Sequence, residues 1–342
     1  MSDAPGPRQS RHETPAPGLG GVRGVLVIVT GGTATMAEGP SGLEVSTAGV
    51  DALRSTVDAW AAARRVPADF VLDLPMRDSA EMGPADWTRW QRRIRAALPS
   101  VAGVVLVHGT DSLAYTAGAL AFALADAPCP IVVTGAQRGP YERGSDALGN
   151  LRHALDTAVS GRAGVCVAFA GRVLAAATAW KRSTTDLDGF AGEEGVSARR
   201  SRNVPAGQFH GYDPDRFVAL ATVTLEHWHD QLTWSRDPAG VVLRVFGGGT
   251  VPYDRRAAAR LRALREAQVP VLAVSQTPAA FVDLGRYGAG RTLVDGGAVS
   301  CGAITVEAAY TKMHFLLGCD LTYATLTRWL AEDLVGESRR PA

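Results

Sequence analysis

The sequence predicts an α/β fold: a parallel sheet with helices on both faces, followed by a smaller α/β half. Three observations carry this. Short β-branched and aliphatic runs alternate with helical patterns through the first half. The runs are continuously apolar, as expected of strands buried on both faces. Two of them, residues 24–29 and 101–107, end in glycine turns that present a threonine: Thr30-Gly31-Gly32-Thr33 and His108-Gly109-Thr110-Asp111-Ser112. In an open parallel sheet both turns emerge at the carboxyl edge, where such folds bind ligands.

The 342 residues suffice for one large or two ordinary domains. Residues 1–21 are rich in Pro, Gly, Ser and charge, and read as a disordered tail rather than a signal peptide. Residues 24–29 form the first strand. Residues 34–47, with Gly39, Pro40, Ser41 and Gly42, read as a loop. Helical periodicity runs over 47–66, with Val50, Leu53, Val57 and Trp60 on one face. A strand at 68–74 and a turn at 78–82 follow. Pro84 suits the first position of a helix carrying Trp87, Trp90, Ile94 and Ala97. Strands at 101–107, 130–133 and 164–169 then alternate with helices at 112–125 and 146–159. Residues 191–215, with Gly192, Gly195, Pro205, Gly207 and Gly211 among arginines, carry little core. They divide the chain into an N-terminal domain over 22–200, a linker over 201–215 and a C-terminal domain over 216–342. The second half offers strands at 217–224, 240–246 and 269–274, and helices at 255–267, 304–317 and 323–334.

Composition narrows the partners. Net charge is +1, from 35 basic and 34 acidic residues, which argues against nucleic acid or an anionic membrane as partner. No apolar run is long enough to span a bilayer. Cys129, Cys166, Cys301 and Cys319 show no close pairing, which fits buried thiols in a reducing cytoplasm.

The threonine turns carry the chemistry. A threonine hydroxyl is a weak nucleophile until a neighbour takes its proton. Gly31 and Gly32 remove bulk beside Thr33, so that backbone N–H groups can approach a substrate oxygen; the alternative is a plain turn after a strand. Asp111 suits a substrate ammonium, although Thr110-Asp111-Ser112 also reads as a helix start. Only two of the 35 basic residues are lysines, Lys181 and Lys312. Against that arginine-rich background, Lys181, in a largely uncharged stretch, is a candidate proton acceptor, whereas Lys312 reads as an ordinary helix residue. His227 and His229 would share a face on a strand, but no Cys or carboxylate cluster supports a metal there. A phosphate loop and a Gly-x-Ser-x-Gly elbow are both missing from the sequence.

Together these stretches resemble the bacterial-type L-asparaginases, closest to their cytoplasmic type I branch. The resemblance runs from about Val22 to the C-terminus. Residues 30–33 and 108–112 resemble the family's two threonine signatures, with Ser112 where threonine is usual. Supporting matches are Asp78-Ser79-Ala80-Glu81-Met82, Thr134-Gly135-Ala136-Gln137, Ser145-Asp146 with Asn150, Lys181 and Thr305-Val306-Glu307-Ala308. The resemblance implies a larger flavodoxin-like N-terminal domain and a smaller C-terminal one. It implies that Thr33 attacks a side-chain amide, that Thr110 and Lys181 relay the proton, and that Asp111 holds the substrate ammonium. Asp78, Ser79, Ala80 and Thr250 fall at substrate-binding positions, Ser79 at the α-carboxylate. It further implies a small amide substrate, no metal or organic cofactor, and a homodimer or homotetramer in which a neighbouring subunit finishes each site.

Three further positions and one short segment depart from the family pattern. Leu43 stands where the family has a lid tyrosine that helps activate the nucleophile. Leucine has no hydroxyl, and loss of one such group commonly costs about 10² to 10⁴ in rate. Ala80 replaces a polar contact, Thr250 replaces an asparagine, and Thr277-Pro278-Ala279 replaces a segment that in some type I enzymes belongs to a regulatory asparagine site. Three functions follow: an asparaginase-like amidohydrolase acting on asparagine or a related amide; a specialised biosynthetic amidase or acyltransferase on the same scaffold; and a non-catalytic amino-acid binder.

Overall fold

A computed structural model describes residues 23–39, 42–198, 208–278 and 280–338. The tail expected over 1–21, and positions 201–207 of the expected linker, lie outside the described residues. The elements run β1 Gly24–Gly31, β2 Met36–Gly39, β3 Gly42–Val45, α1 Thr47–Arg64, β4 Ala68–Arg77, α2 Pro84–Ala97, β5 Val101–Val107, α3 Leu113–Ala123, β6 Pro130–Thr134, α4 Ala147–Ser160, β7 Gly164–Phe169 and β8 Arg172–Ala175. They continue with β9 Trp180–Lys181, β10 Phe190–Ala191, β11 Val218–Thr222, β12 Gly240–Val245, α5 Arg255–Glu266, β13 Val271–Ser275, α6 Arg291–Asp295, β14 Val299–Ser300, α7 Val306–Leu317 and α8 Tyr323–Ala331.

The larger sheet has the order β4-β1-β5-β6-β7-β8, parallel except for β8. Its continuously apolar strands divide by alternation. Leu26, Ile28, Val104 and Leu106 face α2 and α3, while Val25, Val27, Val29, Val105 and Val107 face α1 and α4. The smaller sheet, β11-β12-β13-β14, is parallel throughout. Its Val241, Leu243 and Val245 pack with Ala257 and Leu261 of α5. Its other face, with Val242, Leu272 and Val274, shares a core with α7 and α3. Every residue of α3 except Tyr115 is buried. At Gly118 even a methyl group would lie 2.8 Å from Thr311 Oγ1 of α7.

Several expectations are corrected. Residues 34–47 are not a loop. They hold a 3-10 turn, Thr33–Thr35, and the antiparallel hairpin β2–β3, with Glu38 opposite Leu43. Gly39 and Gly42 form the last pair of that hairpin. β8 returns antiparallel after a turn in which Ala170 and Gly171 both have positive φ. His227 adopts the left-handed conformation ahead of a 3-10 turn, so the His-x-His pair is not on a strand. His229 Nδ1 lies 2.6 Å from Asp254 Oδ2 instead.

Lys312 is more than a helix residue. It is fully buried and paired with buried Glu337 at 2.8 Å. Its ammonium also donates to the carbonyls of Leu330, at 3.1 Å, and Glu332. Glu337 in turn accepts the N–H groups of Leu334 and Val335, fastening the C-terminal segment to α7. Burial works against both charges, yet the pair holds Lys312 above, and Glu337 below, its ordinary pKa. Breaking one side strands the other charge. Lys312→Met is therefore expected to lower unfolding free energy by about 3–5 kcal/mol, with part recovered in Lys312→Met/Glu337→Gln; urea melts of both variants check this.

Candidate active site

The register places Val29 of β1 opposite Val107 of β5, so the two glycine turns leave neighbouring strands at one level. Thr30 stitches them together: its hydroxyl donates to the Val107 carbonyl at 3.1 Å. Beyond it, Gly31 and Gly32 have φ of 126° and 78°, which few side chains tolerate. A Cβ on Gly32 would lie 2.2 Å from Gly109 Cα, and one on Gly109 would lie 2.7 Å from Ser79 Oγ. The backbones of the two glycine turns thus meet without side chains between them, and the Ser79 side chain packs against Gly109. Gly32→Ala is expected to cut turnover at least about 100-fold by displacing Thr33 and to lower the melting temperature; steady-state kinetics with a thermal melt tests both.

Thr33 opens the 3-10 turn, partly exposed, and none of the described hydrogen bonds engages its hydroxyl. Across the glycine contact, Thr110 is buried. Its Oγ1 accepts a hydrogen bond of 2.8 Å from Lys181 Nζ, which also lies 2.6 Å from Asp111 Oδ1. The side chains of Thr110 and Asp111 therefore turn to Lys181 instead of capping α3. Ser112 does not cap it either; its hydroxyl donates to the Ser79 carbonyl at 2.5 Å.

Lys181 ends β9, whose partner strand β10 returns through 182–189. Gln137 pins that loop, its Nε2 donating to the carbonyls of Ser183 at 2.9 Å and Asp186 at 3.1 Å. Asp146 holds Gln137 in turn, accepting its N–H and that of Arg138. The sequence marks Gln137 and Asp146 as part of a family-like segment but says nothing of this scaffolding role. Asp78 caps the short turn at 79–81 by accepting the Ala80 N–H at 2.8 Å; Ser79 is buried and Ala80 is exposed. Thr250 lies in the turn after β12, bridged to Phe246, and none of its described hydrogen bonds reaches the Thr33–Lys181 group. A cavity of about 270 Å³ lies beside Trp180, the neighbour of Lys181, and includes Arg244, Thr277 and Glu307.

His108 supports the second turn from beneath. Trp87 Nε1–H donates to Thr116 Oγ1 at 3.1 Å, and Thr116 lies 3.0 Å from His108 Nε2. His108 Nδ1 lies 2.8 Å from the Gly109 carbonyl. That chain suits a neutral ring which donates at Nδ1 and accepts at Nε2. Complete burial pushes the His108 pKa down to about 4. The unfolded chain then binds the proton more readily than the folded one. The neutral ring's contribution is full above about pH 6.5, and up to on the order of 3 kcal/mol is lost as pH falls toward 4. His108→Gln is expected to flatten the fall of the urea midpoint over that range.

An N-terminal asparaginase family model matches residues 24–226, and a glutaminase/asparaginase C-terminal domain model matches residues 218–330. The chain belongs to the asparaginase family. Among relatives of this asparaginase-family chain, L-asparaginase 1 of Escherichia coli K12 is 30% identical over 278 residues, covering 77% of this chain and 82% of that one. The solved structure of the thermostable L-asparaginase from Thermococcus kodakarensis superposes with a TM-score of 0.76 at 29% identity, covering 93% and 99% of the two chains. A glutamyl-tRNA(Gln) amidotransferase polypeptide of Aeropyrum pernix is 27% identical over 290 residues, covering 76% of this chain and 66% of that one. The protein is an L-asparaginase-like amidohydrolase. Among the described residues no cluster of three or more His, Cys, Asp or Glu side chains is placed to hold a metal, and no helix is long and apolar enough to cross a membrane.

Proposed function

We propose that the protein hydrolyses the side-chain amide of L-asparagine through an acyl-enzyme on Thr33. The observation that carries this is the Lys181 ammonium, 2.8 Å from Thr110 Oγ1 and 2.6 Å from Asp111, two residues that directly follow Gly109, whose backbone packs against Gly32 beside Thr33. Thr33 Oγ attacks the amide carbon, and its proton passes through Thr110 and Lys181 to the leaving nitrogen, giving ammonia. Backbone N–H groups at the bare glycine turns receive the developing oxyanion. Asp111 holds the α-ammonium and Ser79 the α-carboxylate, with Asp78 and Ala80 shaping that loop. Water then releases aspartate.

In this reading the chain divides into domains over 22–200 and 216–342 joined by a linker at 201–215. It works in the cytoplasm as a homodimer or homotetramer in which a neighbouring subunit completes each site, with Thr250 at a substrate-binding position. Two measurements test the proposal: ammonia release from L-asparagine, and an aspartyl adduct on the Thr33 peptide in quenched reactions. A folded protein showing neither would refute it. Sedimentation in solution tests the oligomer.

A further inference from the structure

We propose that a groove beside the nucleophile turn admits amides whose nitrogen carries a carboxylate-bearing group, β-aspartyl dipeptides being the simplest. This rests on the Thr33 acyl-enzyme reading and extends its substrate class. The groove, about 540 Å³, lies between β2, with Met36, Ala37 and Glu38, and the turn carrying Arg138, Tyr141, Glu142 and Arg143. Its wall is laid on the backbone of the nucleophile turn. A Cβ on Gly139 would come 2.7 Å from the Met36 carbonyl and 3.4 Å from that of Thr33.

The wall is preorganised. Asp146 accepts the Arg138 N–H at 2.9 Å, Glu142 accepts that of Gly139 at 2.5 Å, and the Tyr141 hydroxyl reaches across to the Ala48 carbonyl at 3.0 Å. Its two guanidinium groups are uncommitted to acids. Arg138 Nη1 donates to the Arg143 carbonyl, and neither arginine has a carboxylate partner among the described residues. A guanidinium fork matches a carboxylate. Glu38 and Glu142 line the same groove, so it suits a departing amino acid, which is a zwitterion, better than a plain anion. In β3, position 43 lies opposite Glu38 of β2, and the sequence has leucine there where the family pattern has a tyrosine.

The chemistry needs only water. The Thr33 Oγ–carbon bond forms as the carbon–nitrogen bond breaks, and the hydroxyl proton leaves on the nitrogen of the departing amino acid. Water then gives its hydroxyl to the aspartyl carbon and a proton back to Thr33.

The test compares L-asparagine, β-aspartyl-glycine and β-aspartyl-glycinamide, read as ammonia, glycine and glycinamide release by the full chain and by Arg138→Ala and Arg143→Ala. The wild type is expected to cleave β-aspartyl-glycine. At least one arginine variant should lower its kcat/KM about tenfold or more, mainly through KM. Asparagine and the glycinamide, which lacks the carboxylate, should change by less than about twofold. Turnover of asparagine without β-aspartyl-glycine overturns the inference and leaves the acyl-enzyme reading standing. So does an equal loss on all three substrates, or no loss in either variant. No turnover of any of them by folded protein overturns both.

Discussion

Thr33→Ala is expected to abolish ammonia release from asparagine, a loss of at least about 10⁴ in kcat, while the protein stays folded. None of the described hydrogen bonds engages the Thr33 hydroxyl, whereas that of Thr110 is held by Lys181, and Thr33 stands at the start of a 3-10 turn rather than in the core. Removing it deletes the bond-forming atom and little packing, so the urea midpoint should hold within about 0.5 kcal/mol. Thr33→Ser keeps the atom and should keep measurable turnover. Ammonia release undiminished in Thr33→Ala would remove the threonine acyl-enzyme from consideration. Unchanged asparagine binding with no turnover in the wild type would favour a binder.

Lys181→Met is expected to lower kcat by about 10² to 10⁴. Its ammonium is the contact that joins Thr110 to Asp111, and Gln137 steadies the loop behind it. The methionine stem fills similar space and cannot carry a proton. Asp111 keeps its place for the substrate, so the loss should fall on kcat rather than KM. Lys181→Arg preserves the cation but not the ability to release a proton, and should remain at least about tenfold below wild type. Stopped assays with both variants decide this; an arginine variant at full rate would show that only charge is needed there.

The strands were legible because burial on both faces leaves an unbroken apolar run, as in 101–107, and the glycine turns because they interrupt such runs. The β2–β3 hairpin was not legible: its strands are four residues each and the Gly-Pro-Ser-Gly sequence reads as loop composition. The antiparallel return of β8 depends on two consecutive positive-φ residues, one of them an alanine, which propensity does not mark. The backbone at His227 is hidden for the same reason: its left-handed conformation breaks the alternation that would align it with His229 on a strand.

The site divides similarly. Thr33, Thr110 and Asp111 could be singled out from local pattern, and Lys181 from its rarity among arginines. That Lys181 meets Thr110 across 71 positions came from resemblance, not from composition or spacing. In the sequence Lys312 reads as ordinary because its partner lies 25 positions on, in a segment without periodicity to place it.

The burial of α3 has a consequence for how this chain can change. Its first residues follow directly on Thr110 and Asp111, yet its sides are divided between the core beneath the larger sheet and α7 of the smaller one. The two halves are therefore not interchangeable modules. A cut between them would leave a largely apolar, normally buried helix with one flank in water, and a transplanted C-terminal half would have to reproduce the gap that Gly118 leaves for Thr311. The edge of the larger sheet that carries Thr110 is inherited as a joint property, and substitutions in α7, far along the sequence, become a route by which its geometry drifts.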